Sequence, residues 1–208
     1  KVELKKFKGH DSTLVKLAAT DFDKISYTIN AADNRTAETS DLFFNLGESK
    51  KNADGSQTIS FTLASDSATG TSITHEFILK KDDYMLDFNV KLNGVNQLFT
   101  QGGMNLTWQY AAAQQETDIS YEKQNTQVSY VEDGSFDYHT IGRKSSKNFD
   151  EPVKWLGLRQ RFFFTILMAK NNFSAGTMEW TVPSDTARTV ARSTAKMKLQ
   201  VPAGAPSI

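Results

Sequence analysis

The side chains able to do chemistry are few and scattered. The 208 residues include three histidines, His10, His75 and His139, and no cysteine. Without cysteine there is no thiol catalysis, no disulfide and no cysteine-ligated zinc, and the chain fits a reducing or an oxidising compartment equally. The histidines lie far apart, and none falls in the His-x-Glu-x-x-His spacing that places two imidazoles on one helix face around zinc. A Gly-x-Ser-x-Gly elbow for nucleophilic attack and a Gly-x-x-x-x-Gly-Lys-[Ser/Thr] loop for phosphate are also missing. Two acid pairs stand out. Asp21-Phe22-Asp23 lacks the glycine and glutamate of a calcium loop, and Asp82-Asp83 has the position and composition of a hairpin turn. Carboxylate pairs for glycoside hydrolysis meet in space rather than in sequence, so 24 acids give no positive signal for them. His75 falls in an apolar strand row and reads as a packed histidine. His139 sits at a strand end and reads as a surface one. No catalytic, cofactor-binding or metal-ligating residue is assigned, and no cofactor is expected.

The elements that would position these groups are strands. Period-2 alternation recurs along nearly the whole chain. Ile59, Phe61 and Leu63 form one apolar row; Ile73, His75, Phe77 and Leu79 form the next. Across the turn Lys81-Asp82-Asp83, the residues Tyr84, Leu86, Phe88, Val90 and Leu92 resume the pattern, so 72–80 and 84–93 predict a long hairpin. Met104, Leu106, Trp108 and Tyr110 alternate with polar neighbours after Gly102-Gly103. Glu132-Asp133-Gly134-Ser135 predicts a second hairpin turn between 127–130 and 136–138. Met178, Trp180 and Val182, then Ala195, Met197, Leu199 and Val201, complete the rows. Only 186–193 has the look of a short helix. Loops rich in Asp, Asn, Ser and Gly fall at 30–41, 47–57, 64–71 and 142–151. Many short antiparallel strands with one polar face each predict an all-β sandwich or barrel of one domain spanning 1–208.

The run 162–169 breaks the alternation. Phe162, Phe163 and Phe164 begin eight residues that are apolar on both faces if Thr165 is counted. That length is far short of the ~20 residues a membrane-spanning helix needs. A strand covered on both sides reads this way, so the run is expected to be a central strand rather than a membrane or partner patch. Phe163→Ala is then expected to cost ~3–5 kcal/mol.

Charge is balanced overall, with 24 basic and 24 acidic residues, but not evenly spread. Residues 143–198 carry 11 Lys/Arg against 4 Asp/Glu, leaving 13 against 20 in the first 142. The asymmetry is expected to be that of a solvated surface with a chance distribution of charge; the alternative is a basic region facing anionic lipid or an acidic partner. A neutral pI of about 7.0 and the lack of a basic helix count against nucleic acid. The alternation at Lys1-Val2-Glu3-Leu4-Lys5-Lys6 begins without a leader, which reads as the start of an excised, soluble piece of a longer protein.

Three segments together resemble the large periplasmic domain of the YidC family of membrane protein insertases. The first is the hairpin from Glu76-Phe77-Ile78-Leu79 through Tyr84-Met85-Leu86-Asp87-Phe88. The second is Trp155 followed five residues on by Gln160, then Phe162 and Phe163; the third is the opening Val2-Glu3-Leu4-Lys5-Lys6-Phe7. The resemblance implies a β-supersandwich of the galactose-mutarotase-like kind, mostly antiparallel with little helix. It implies a location on the periplasmic side of the bacterial inner membrane, in a membrane-embedded parent. It also implies a non-catalytic role in inserting and folding membrane proteins, with SecDF and other Sec translocon components, and nascent membrane proteins, as partners of a monomer. The family's domain continues into a final strand and helices, which this chain lacks. The shared fold leaves a carbohydrate-binding or mutarotase-like sugar-processing domain as the alternative.

Overall fold

The computed structural model describes residues 2–31, 34–64 and 70–201. The first residue of the opening pattern, parts of the 30–41 and 64–71 loops and the tail 202–208 lie outside these residues. The alternating segments form strands: β1 (Val2–Lys8), β2 (Leu14–Leu17), β3 (Lys24–Ala31), β4 (Arg35–Glu38), β5 (Asn45–Lys51), β6 (Gln57–Ala64), β7 (Ser72–Leu79) and β8 (Leu86–Asn93). There follow α1 (Val95–Leu98), β9 (Gly103–Ala113) and α2 (Ile119–Gln124). The rest is again strand: β10 (Gln127–Glu132), β11 (Ser135–Thr140), β12 (Ser146–Phe149), β13 (Val153–Arg159), β14 (Phe164–Phe173), β15 (Ala175–Thr181) and β16 (Thr189–Gln200). The chain is therefore all-β with antiparallel sheets and little helix, as the alternation predicts. Among the described residues, no helix is long and apolar enough to cross a membrane.

The chain divides into two compact units: Lys1–Tyr27 with Asn105–Leu199, and Thr28–Met104 with Gln200–Ile208. In the first, the strand order β12-β15-β16-β9-β3 makes one sheet and β11-β10-β13-β14 the other. Their facing sides interlock. Tyr130 meets Phe149 edge-on at 5.1 Å, and Thr165 Oγ1 donates to Tyr110 Oη at 3.1 Å. Val128, Leu156, Leu158, Met178, Trp180, Ala195 and Met197 fill the space between them, all fully buried. Burying side chains of this size stabilises by ~1.5–3 kcal/mol each. This is a β-sandwich. The β10–β11 turn is the two-residue kind that Asp-Gly favours, with Asp133 at φ 47° and Gly134 at φ 73°.

In the second unit the sheet runs β5-β6-β7-β8, and the later half of β3 pairs with β4. The predicted 72–93 hairpin is present, with Ile73 paired to Leu92 and Phe77 to Phe88. Its turn places Asp82 at φ 57°.

Several expectations fail. The loops predicted at 30–41, 47–57 and 142–151 hold β4, most of β5 and β12. The run 162–169 is not a central strand. β14 is an edge strand, because the sheet ends there, and Phe162 and Phe163 belong to the turn before it, closed by Gln160 N–H donating to Phe163 O at 2.8 Å. Phe163 is only half-buried, edge-on to Phe7 at 5.9 Å, so Phe163→Ala removes less packing than a core phenylalanine would. The 186–193 segment is not a helix either. A single 3-10 turn at Asp185–Ala187 precedes β16, whose small inward residues Ala191 and Ser193 mask the alternation of its first half, while the row from Ala195 onward shows it.

Candidate functional site

Several groups that might act as an acid or base are committed to the fold. Asp23 Oδ1 accepts from Ala111 N–H at 2.7 Å, and its Oδ2 accepts from the backbone and hydroxyl of Thr20. It ties a loop to β9. Asp83 Oδ1 accepts from Met85 N–H at 2.9 Å and fastens the β7–β8 turn. His10 is exposed in the turn after β1. His75 stacks on Phe44 at 4.4 Å and meets Phe88 edge-on at 5.2 Å, and burial holds its pKa down at about 4. The packed-histidine reading of His75 stands. Among the described residues, no group of three or more His, Asp or Glu side chains is placed to hold a metal.

His139 is half-buried rather than on the surface. Tyr130 Oη donates to Asp137 Oδ2 at 3.0 Å. A phenol has one proton, so the 3.1 Å contact with His139 Nε2 requires the imidazole to be the donor there. The ring also stacks on Trp180, while Lys147 lies 5.3 Å from the Tyr130 and Phe149 rings and pairs with Glu132 at 2.7 Å. Burial, then the charge of Lys144, lowers the His139 pKa. Asp137 is held below the carboxylate range by Tyr138 N–H and then by the Tyr130 hydroxyl. The histidine and the carboxylate thus share one protein hydroxyl, that of Tyr130.

The family-resemblance motif resolves into a structural clamp. Gln160 is buried, and its Nε2 donates to Glu122 Oε1 and to Ala113 O, both at 2.8 Å. The other Glu122 oxygen accepts from Gln115 and Glu116 N–H at 2.9 and 3.1 Å. Burial raises the Glu122 pKa in spite of these bonds. The clamp joins α2, the end of β9 and the end of β13. Nothing in a single sequence signals that residues 38 positions apart meet.

What stands free is a surface. The register Val131↔Phe136, Val131↔Trp155 and Trp155↔Met168 puts these side chains on the outer face of the four-stranded sheet. Tyr138, Arg159, Phe164 and Ile166 share that face by alternation. Phe136 lies 6.0 Å from Trp155 and 6.1 Å from Tyr138, and Trp155 lies 5.4 Å from Phe164, so the aromatics form a band across the strands. Phe136 is 56% exposed, and Phe162 beside the band is 68% exposed. Three polar atoms of the same face are covered: Ser129 Oγ, Gln127 Oε1 and Thr140 Oγ1 are buried with no hydrogen-bond partner. Gly157 lies between Ser129 and Ile166, where a Cβ would stand 2.2 Å from Thr165 O and 2.9 Å from Ile166 Cα. The signal available was Phe136-x-Tyr138, alternating with Asp137 and His139.

The family model described as the YidC periplasmic domain matches residues 1–207. The chain belongs to that family. It is 27% identical over 157 residues to the membrane protein insertase YidC of Parabacteroides distasonis, covering 74% of this chain and 24% of that protein. The corresponding insertase of Phocaeicola vulgatus is 26% identical over 185 residues, covering 84% and 27%. That of Chlorobaculum parvum is 24% identical over 188 residues, covering 85% and 30%. The chain thus spans about a quarter of the length of these relatives. In this family setting, the Trp155 and Gln160 positions have clear structural work: Trp155 builds the aromatic band and Gln160 the clamp.

Proposed function

We propose that this chain is a non-catalytic domain of a membrane protein insertase. It stands on the periplasmic side of the inner membrane and assists the insertion and folding of membrane proteins. The observation that carries this reading is the match of one family model to residues 1–207, which also supports treating both compact units as one domain. Its work is done through protein–protein contact, as a monomer, with SecDF and other components of the Sec translocon and with nascent membrane proteins. The consumption of Asp23, Glu122 and Asp137 by structural hydrogen bonds favours a scaffold over an enzyme.

The test is made in the full-length insertase. Deleting the segment corresponding to 1–208 is expected to reduce copurification of SecDF and to slow insertion of Sec-dependent clients. Equal SecDF recovery from both proteins would overturn the contact. A sugar-processing role is disfavoured because Tyr130 caps both His139 and Asp137. A measurable mutarotase rate that disappeared with His139→Ala would reverse that judgement.

A further inference from the structure

The outer face of the four-stranded sheet is built the wrong way round for water. In a sandwich the outward positions are ordinarily polar and the inward ones apolar. Here Phe136, Tyr138, Trp155, Phe164, Ile166 and Met168 take the outward positions. Continuous exposed apolar patches on a monomer mark interaction sites. Among the described residues no strand pairs with the outer edge of β14, so the face ends there, beside Phe162.

Charge selects the occupant. By register Arg159 lies on this face, opposite Phe164. Arg161, in the turn beside it, stacks over Phe162 at 5.0 Å and over Tyr121 at 5.2 Å and is paired with Glu116 at 3.0 Å, which leaves Arg159 as the cation offered to an occupant. A second copy docking face to face would bring Arg159 towards its own counterpart. A purely apolar peptide would leave the arginine unmatched. A surface that is apolar within and anionic at its boundary satisfies both features. Trp and Tyr settle at the headgroup level of a bilayer, and Lys/Arg are drawn to anionic headgroups.

We propose that the aromatic outer face of the sheet β11-β10-β13-β14 rests on the surface of an anionic phospholipid bilayer, with Phe162 and Phe164 entering the interface and Arg159 meeting headgroup phosphate. The proposal draws on the membrane-side location proposed above but needs no Sec component. Binding to bare lipid and contact with SecDF can therefore fail independently.

The experiment mixes the 208-residue chain with vesicles of equal parts phosphatidylglycerol and phosphatidylethanolamine, and with pure phosphatidylcholine vesicles, and measures cosedimentation. The chain is expected to bind the anionic vesicles, more weakly as salt rises, and to leave the neutral ones. Phe162→Ser with Phe164→Ser is expected to weaken binding about tenfold, and Arg159→Glu at least about fivefold. Phe43→Ser serves as the control, since Phe43 is 95% exposed in the other compact unit and lies outside the proposed face. It is expected to leave binding unchanged. Brominated acyl chains should quench tryptophan emission in the parent chain and quench it far less in Trp155→Phe. Unchanged circular-dichroism melting shows that each variant is folded. Absence of binding to anionic vesicles overturns the proposal. So does an effect of Phe43→Ser equal to that of the pair, or a dimer in sedimentation equilibrium that the pair dissolves while vesicles stay unbound.

Discussion

The two four-stranded sheets of this chain have the same strand count and opposite exteriors. In β5-β6-β7-β8 one face carries Phe61, His75, Phe77 and Phe88 in continuous ring contact, from Phe61–Phe77 at 6.1 Å to Phe77–Phe88 at 4.8 Å. Its other face is polar: Thr62 and Thr74 hydroxyls meet at 3.0 Å, and Glu76 bonds Lys91 at 2.7 Å and Asn89 at 3.4 Å. The sheet β11-β10-β13-β14 has a comparable apolar inner face, with Val128, Leu156 and Leu158 fully buried, yet its outer face is aromatic too. A sheet needs only one apolar face to fold. The second apolar face of β11-β10-β13-β14 is therefore unexplained by folding, and points outward to a partner.

If the inner face alone holds the sheet β11-β10-β13-β14 together, truncation there should be severe. Leu156→Ala is expected to cost about 3–4 kcal/mol, read from chemical denaturation. A loss below 1 kcal/mol would place the sheet's stability on its other side. The clamp at the end of β13 comes next. Gln160→Ala strands a buried Glu122 oxygen and the Ala113 carbonyl, and is expected to cost about 2–3 kcal/mol; replacement without effect would show that water substitutes for the amide.

The aromatic row of the second unit offers a pH handle. Burial holds His75 at about 4 against 6.5 when unfolded, so between these values the unfolded chain binds more protons. Stability attributable to His75 is present above 6.5 and lost as pH falls towards 4. The loss is about 2 kcal/mol, allowing for solvent that reaches the half-buried ring. Denaturation at pH 7 and pH 5 should show it, and His75→Phe should flatten the profile. Some slope remains from His139, whose pKa is lowered in the same direction. The smallest effects belong to the outer faces. Phe136→Ser and Lys91→Ala should each change stability by about 0.5 kcal/mol. A large loss from Phe136→Ser would mean that the aromatic band is structural after all.

The sequence reading was soundest where chemistry is local. Asp133-Gly134 supplies the two left-handed positions that a tight hairpin needs, and the hairpin is there. Alternation located β9, β15 and β16. It failed at β14 for a physical reason. Apolar residues on both faces of a strand are compatible with cover on both sides or with cover on one side and a partner surface on the other, and period-2 patterns do not distinguish these. The Gln160–Glu122 clamp was invisible because it joins groups remote in sequence, although the motif containing Gln160 had already pointed to the family. The His139–Tyr130–Asp137 arrangement depends on the β10–β11 register, which the hairpin turn fixes; the bridging hydroxyl could have been found from that register.

Gly157 gives the aromatic face a particular vulnerability. β14 approaches β13 so closely there that even one methyl group would collide with the Thr165 carbonyl. The position of Phe164 and Met168 at the rim is thus fixed by the absence of a side chain two strands' breadth from β11. A substitution as mild as alanine would push the edge strand away and reshape the whole surface without altering any residue that surface displays. In terms of what sequence change the protein can tolerate, the aromatics of the face can drift among themselves, whereas this one silent position beneath them cannot.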